Sequence, residues 1–141
     1  MSRPLKLLLG FLLCILVMAG LILLVPFYVP EENLHRQEAD LQVAATELYT
    51  TYEADEAMGN RRYIDRIIDV TGTIAEITED ENGAAVVILR ESDAFSGVLC
   101  TLEESERRAA RELAVGQSVT IRGFCTGMLM DVVLNKCIIL D

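Results

Sequence analysis

Residues 97–127 read GVLCTLEESERRAARELAVGQSVTIRGFCTG, and this stretch decides the architecture. Gly97–Thr101 is a short apolar strand. Thr101 and Glu104 then have the spacing of a capping box, in which each side chain satisfies an amide of the other's turn. Glu103 with Arg107 and Glu104 with Arg108 are opposite charges one helical turn apart. Gly116, after Leu113 and Val115, supplies the carboxyl-terminal stop. QSVTIRGFC resumes the two-residue alternation of a half-buried strand. The stretch therefore predicts strand, helix, strand.

Upstream, IIDVTGTIAEI (67–77) alternates Val70, Gly72 and Ile74 with Asp69, Thr71 and Thr73, and AAVVIL (84–89) is a second strand. Asn82-Gly83 closes the acidic turn between them as a hairpin. Downstream, DVVLNKCIIL (131–140) pairs with QSVTIRGFC across a connection containing Gly127. Five strands with a helix between the third and fourth are what a five-stranded OB barrel requires. Closure also removes edges that strands this short could not protect. An open meander with a helix on one face is the alternative. Gly72, Gly123 and Gly127 suit bends or bulges, since none opens a helix after a strand as a phosphate loop does.

Before the barrel, Glu31 to Met58 has helical periodicity: Leu34, Leu41, Ala45, Leu48 and Tyr52 share one face, and Gly59-Asn60 offers the cap. Earlier still, Leu7–Val25 is free of charge and about 19 residues long, enough to cross a bilayer. Pro26 and Pro30 end it, with Phe27 and Tyr28 where aromatic rings favour the membrane boundary. Arg3 and Lys6 precede the span and Glu31 and Glu32 follow it, so the amino terminus is expected in the cytoplasm and the rest outside, on the periplasmic side of an inner membrane if there are two. A cleaved signal peptide, with Val17 and Ala19 before the cut, competes, although Leu21–Val25 extend the apolar run. Lipid attachment at Cys14 is disfavoured by Leu12 and Leu13. The organisation expected is an anchor over 1–30, an amphipathic helix over 31–60 and the barrel over 61–141.

All 22 acidic residues follow residue 30 but only two of the 12 basic ones precede it, so the outer part has ten basic against 22 acidic residues, a balance of −12. That disfavours nucleic acid, whose affinity comes from cations displacing counterions. His35 is the only histidine, which leaves no material for a histidine metal site or a catalytic triad. Glu79, Asp80 and Glu81 lack the spacing of a calcium loop. Arg61, Arg62 and Arg66 face Asp55 and Glu56 as readily as a partner. No cofactor and no catalytic activity are expected.

The runs ELYTTYEADEAMGNRRYIDRIIDVTGTIAEI (47–77), VVIL (86–89), GVLCTL (97–102), LAVGQSVTIRGFCTG (113–127) and DVVLNKCIIL (131–140) resemble the tRNA_anti-like OB-fold family of bacterial membrane-anchored and exported proteins. The most specific pieces are VTG, LAVGQSVTIRG, and CTG followed by DVVL. Met58 stands where the family pattern has Ala, with Tyr63 following. The resemblance implies the barrel and an envelope location, and no catalytic residue or ligand.

Three function classes follow: a non-catalytic binding module for a peptide, envelope protein or small ligand; a structural partner packing through the Leu34–Tyr52 stripe; and, disfavoured by charge, a nucleic-acid binder. In such barrels ligands lie across the second and third strands and the adjoining loops. Arg90, Ser92, Asp93 and Phe95, after the second strand, and Phe124, Met128 and Met130, near the last hairpin, are the candidate face. The alternative is that the methionines and phenylalanine cap the core. Cys100 and Cys137 end neighbouring parallel strands and are the candidate disulfide, with Cys125 placed opposite Met128 to Asp131 and left free. The rival is three reduced core thiols.

Overall fold

The computed structural model describes residues 2–24 and 33–140. It divides into two compact units, Met1–Glu32 and Asn33–Asp141. In the first, α1 (Arg3–Leu24) carries Phe11, Ile15, Ile22 and its leucines from Leu5 to Leu23 exposed. It is long and apolar enough to cross a membrane. The terminating prolines, the aromatic boundary at Phe27 and Tyr28, and Glu31 and Glu32 lie outside the described residues.

In the second unit the strands are β1 (Leu41–Ala44), β2 (Ile67–Glu79), β3 (Ala85–Leu89), β4 (Val98–Leu102), β5 (Ser118–Met128) and β6 (Val132–Ile139). β2 through β6 close a five-stranded barrel in the order β2-β3-β4-β6-β5, with β5 returning to β2. β4 and β6 run parallel and the other barrel pairs antiparallel. Long β2 does double duty: Ile67–Thr73 pair with β5, and Ile74–Glu79 with β3. The interior is filled by Ile68, Val70, Ile74, Val87, Leu89, Val98, Ile121 and Leu134, among others.

The single helix expected over 31–58 is not formed. Leu41–Ala44 instead pair in parallel with Ile68–Thr71 as β1. Then come α2 (Ala45–Ala54) and α3 (Glu56–Tyr63). Asp55, with extended backbone, ends α2, and its carboxylate accepts the Met58 amide at 3.1 Å to cap α3. Gly59 and Asn60 therefore lie inside α3, not at a stop. Gly59 is there because Tyr52 packs on it: a Cβ would sit 2.6 Å from the ring. The predicted apolar face survives the break, since Ala45, Leu48 and Tyr52 are all buried in the barrel core, while Leu34 is buried in a separate cluster with Ile67 and Ile138. Enclosing Leu48 and Tyr52 contributes about 1.5–3 kcal/mol each.

The helix between the third and fourth barrel strands is shorter than predicted, a 3-10 turn (Glu104–Glu106) followed by one turn, α4 (Arg107–Ala110). Thr101 stays in β4, so no capping box forms. Glu103 is the cap, without a side-chain bond. The pair observed is Glu104 with Arg107, at 3.4 Å. Glu106 is drawn inward, where its Oε2 accepts the Ile139 amide at 3.0 Å, and this inward pull competes with a regular helix. Ala110 seals that end of the barrel.

The last hairpin turns at 129–131, with Met128 opposite Val132. Cys125 consequently lies opposite Leu134, and the expected register beside Met128 to Asp131 is wrong. The shift arises at Gly127, whose φ of 115° is open to glycine and lets β5 bulge and run further.

Candidate binding face

The segment 33–40 is strapped to the barrel by two buried carboxylates. Asp69 on β2 and Arg122 on β5 form a two-pronged pair, Nε to Oδ1 at 2.6 Å and Nη2 to Oδ2 at 2.8 Å. The third guanidinium nitrogen donates to the carbonyls of Gln37 and Leu34. Asp69 holds Arg122 protonated even more firmly than usual, its hydrogen bond outweighing the opposing effect of burial. Glu106 is the second anchor, its Oε1 3.0 Å from Nε2 of His35. His35, which falls within the amphipathic helix expected over 31–60, is instead a half-exposed contact of an irregular strap.

On β4, Val98, Cys100 and Leu102 point into the core, leaving Leu99 and Thr101 outside; on β3, Val87 and Leu89 point in and Ile88 is left outside and half-buried, while Val86, beside Thr101, is itself buried. The register sets Ile88 beside Leu99 and Leu99 beside Val133 of β6, with Glu76 of β2 completing the row. The outer surface of β3 and β4 is aliphatic and threonine, without cation or aromatic ring. Lys136 stands exposed further along β6.

The candidate residues from the sequence are distributed over several places. Arg90 and Ser92 line a hollow of about 420 Å³ with Thr73, Ala75 and Val115. Asp93 and Phe95 line another, of about 280 Å³, against Tyr49, Thr50 and Glu53 of α2. Met128 lines a third, of about 290 Å³, with Glu56 and Asn60 of α3, Leu129 and Val133. Phe124 is apart from these, packed in the cluster of Leu34, Ile67 and Ile138. Met130 is on the turn between β5 and β6, 85% exposed.

The loops bearing Phe95 and Met130 are neighbours: the Gly97 amide donates to Asp131 Oδ1 at 2.8 Å, and the Val132 amide to the Gly97 carbonyl at 3.0 Å. Leu129, 87% exposed beside Met130, was missed, although two apolar residues in a tight turn are an unusual composition that could have marked it. Glu53 and Glu56 were also missed, because their place depends on the break at Asp55.

Arg62 pairs with Glu47 at 3.5 Å and lies over the Tyr63 ring, 5.2 Å from its centroid. Asp80 accepts the amides of Asn82 and Ala84, organising its own turn. Among the described residues no group of three or more His, Cys, Asp or Glu could hold a metal.

Cys100 and Cys137 are fully buried, on the neighbouring parallel strands β4 and β6. Gly123 makes room for them, since a Cβ there would lie 2.5 Å from the Cys137 sulfur. Burial pushes the Cys137 thiol up. Cys125 faces Tyr52, sulfur to hydroxyl 3.6 Å; burial raises it too, partly offset by that hydroxyl and the Gly127 amide.

Among solved structures, the chain is similar to a lipoprotein of Klebsiella pneumoniae whose name proposes nucleic-acid binding, with a TM-score of 0.61, 15% identity, and coverage of 74% of this chain and all of that one. It also matches yeast Stn1 and Ten1 at a TM-score of 0.45 and 12% identity, over 84% of this chain and 69% of that one. At these identities the first likeness concerns the fold. No curated protein matches. The tRNA_anti-like family matches residues 1–139, so the chain belongs to the tRNA_anti-like family, built on an OB barrel.

Proposed function

We propose that this protein is a membrane-anchored, extracytoplasmic OB module that binds a protein or small ligand and performs no catalysis. The outer surface of β3 and β4 carries the reading. Single-stranded nucleic acid needs rings for bases to stack on and a cationic groove for the phosphates. Here the half-buried corresponding positions are Ile88, Leu99 and Thr101, with Glu76 beside them, on an outer part with a balance of −12. Two of the three hollows are lined by Glu53 and Asp93 or by Glu56, with no Lys or Arg. The rival of a structural partner loses its surface, because Leu48 and Tyr52 of the helical stripe are spent on the barrel.

The orientation rests on Arg3 and Lys6 before the apolar helix. Fusion of a reporter active only outside the cytoplasm after Asp141 tests it, with activity expected. Titration of the protein with labelled single-stranded DNA and RNA at physiological salt tests the ligand class. No saturable binding is expected, and submicromolar affinity that falls steeply with salt would refute the reading.

A further inference from the structure

The two loops at the α2–α3 end of the barrel are pinned yet present naked apolar side chains. The β3–β4 loop is fixed on one side by Ser96 Oγ donating to Glu53 at 2.7 Å and on the other by the Gly97 amide donating to Asp131 at 2.8 Å. Between Asp93 and these ties, Phe95 is 101% exposed. Leu129 and Met130 on the adjoining turn are 87% and 85% exposed. Holding a phenylalanine in water on a fixed backbone loses apolar burial and gains nothing within the chain. It does pre-organise an anchor of the type that dominates binding energy. The hollow that Phe95 lines is acidic through Glu53 and Asp93, and the one that Leu129 lines is acidic through Glu56. Tyr49 lines the first, and its hydroxyl is pushed up by burial and then by Glu53, Asp93 and Glu91.

We propose that this end takes a cationic protein segment bearing apolar side chains, its Lys or Arg residues meeting Glu53, Glu56 and Asp93 while its apolar residues cover Phe95, Leu129 and Met130. An anionic lipid surface is repelled by those carboxylates. A second copy docking through the same end would meet its own charge. The inference rests on the binding-module reading and names the chemistry of its partner.

The test uses the full-length protein in nanodiscs of zwitterionic lipid and fluorescent short peptides of alternating Lys and Leu, Glu and Leu, or Lys and Ser, followed by anisotropy. The Lys–Leu peptide is expected to bind, and the other two at least about tenfold more weakly. Phe95→Ser with Met130→Ser, both on exposed side chains, should weaken Lys–Leu binding by about tenfold or more, the cost of losing a hot-spot pair. Val115→Ser, exposed and at a different hollow, should leave it unchanged. Glu56→Gln with Asp93→Asn should flatten its salt dependence. Lys–Leu binding that survives the Phe95/Met130 change, or is lost equally in Val115→Ser, overturns the inference and leaves the binding module standing. Failure of every peptide overturns the inference as well, and saturable binding of single-stranded DNA in the same nanodiscs brings down the module reading with it.

Discussion

Replacing Arg122 by Met keeps most of the stem and removes the charge. The Asp69 side chain is 6% exposed and that of Arg122 16%, so the carboxylate left behind has almost no access to water. An uncompensated buried charge of this kind costs about 3–5 kcal/mol. Of the two carbonyls the change leaves, that of Gln37 belongs to a half-buried residue that regains water and that of Leu34 loses only a long contact of 3.4 Å, so they add little. Asp69→Asn should cost less, about 1–2 kcal/mol, because an acceptor oxygen remains and the guanidinium keeps its carbonyl partners. The double change Asp69→Leu with Arg122→Met removes both charges and should recover most of the loss, as well-packed apolar replacements of buried pairs do. A loss of about 3 kcal/mol is a large share of the roughly 5–15 kcal/mol that holds a domain together. It lowers the melting midpoint by roughly 12–24 °C for a unit of this size. Urea unfolding followed by circular dichroism measures it, and trypsin cleavage after exposed Arg36 reports separately on the strap. A cost of Arg122→Met below about 1 kcal/mol, or single-variant costs that simply add with no coupling in the cycle, would refute the argument.

Three further outcomes follow from buried groups. Tyr63 is fully buried and its hydroxyl finds no partner among the described residues, so Tyr63→Phe should be neutral or stabilise by about 1 kcal/mol in urea unfolding, and a loss above that would show that the hydroxyl is bonded. With the thiols reduced, Cys125 and Cys137 titrate higher in the folded chain than the value of about 8.5 expected when unfolded, so the native state holds more protons above that pH. Their contribution is complete below about pH 8.5 and is lost as pH rises through the folded values, so the urea midpoint should fall in mild alkali, with a shallower slope in Cys125→Ala; a midpoint rising from pH 8 to 10 contradicts this. Thiol oxidation outside the cytoplasm should join Cys100 to Cys137, closing about 37 residues and stabilising by about 4 kcal/mol on the loop-closure account. Peptide mapping of unreduced protein checks the pairing, and a Cys125–Cys137 peptide is the contrary result.

The barrel was legible because β2 and β5 announce themselves through two-residue alternation, β3, β4 and β6 through short apolar runs, and glycine-containing turns separate the hairpin strands. The region before it was misread for a physical reason. Leu34, Leu41, Ala45, Leu48 and Tyr52 fall at helical spacing, yet Leu34 owes its burial to an irregular strap and Leu41 its partial burial to a parallel strand against β2, which local periodicity cannot distinguish from a helix face. The determinant is Asp55, whose side chain starts a new helix three residues before Met58, and a cap of that type was available in the sequence. The helix after β4 was overestimated for the opposite reason. Its charge pairs favour a helix locally, while burial of Glu106 against Ile139 and His35 is a long-range bond that no spacing reveals.

The same distinction explains the binding face. Phe95 and Met130 were visible as apolar residues in loops, and their adjacency depends on Gly97 and Asp131, which lie 34 residues apart in the chain and meet only because β4 and β6 run parallel and start side by side. Phe124 was grouped with them by sequence proximity to the last hairpin, but it sits within β5, opposite Ile67, and packs in the cluster of Leu34, Ile67 and Ile138 instead. What separates an anchor from a core residue here is therefore which loops the parallel pair brings together. The strap, bound through Arg122 and Glu106, and the naked end, built from the β3–β4 and β5–β6 loops, draw on different side chains. A substitution at Arg122 should consequently loosen the strap, and one at Phe95 should change binding without changing stability.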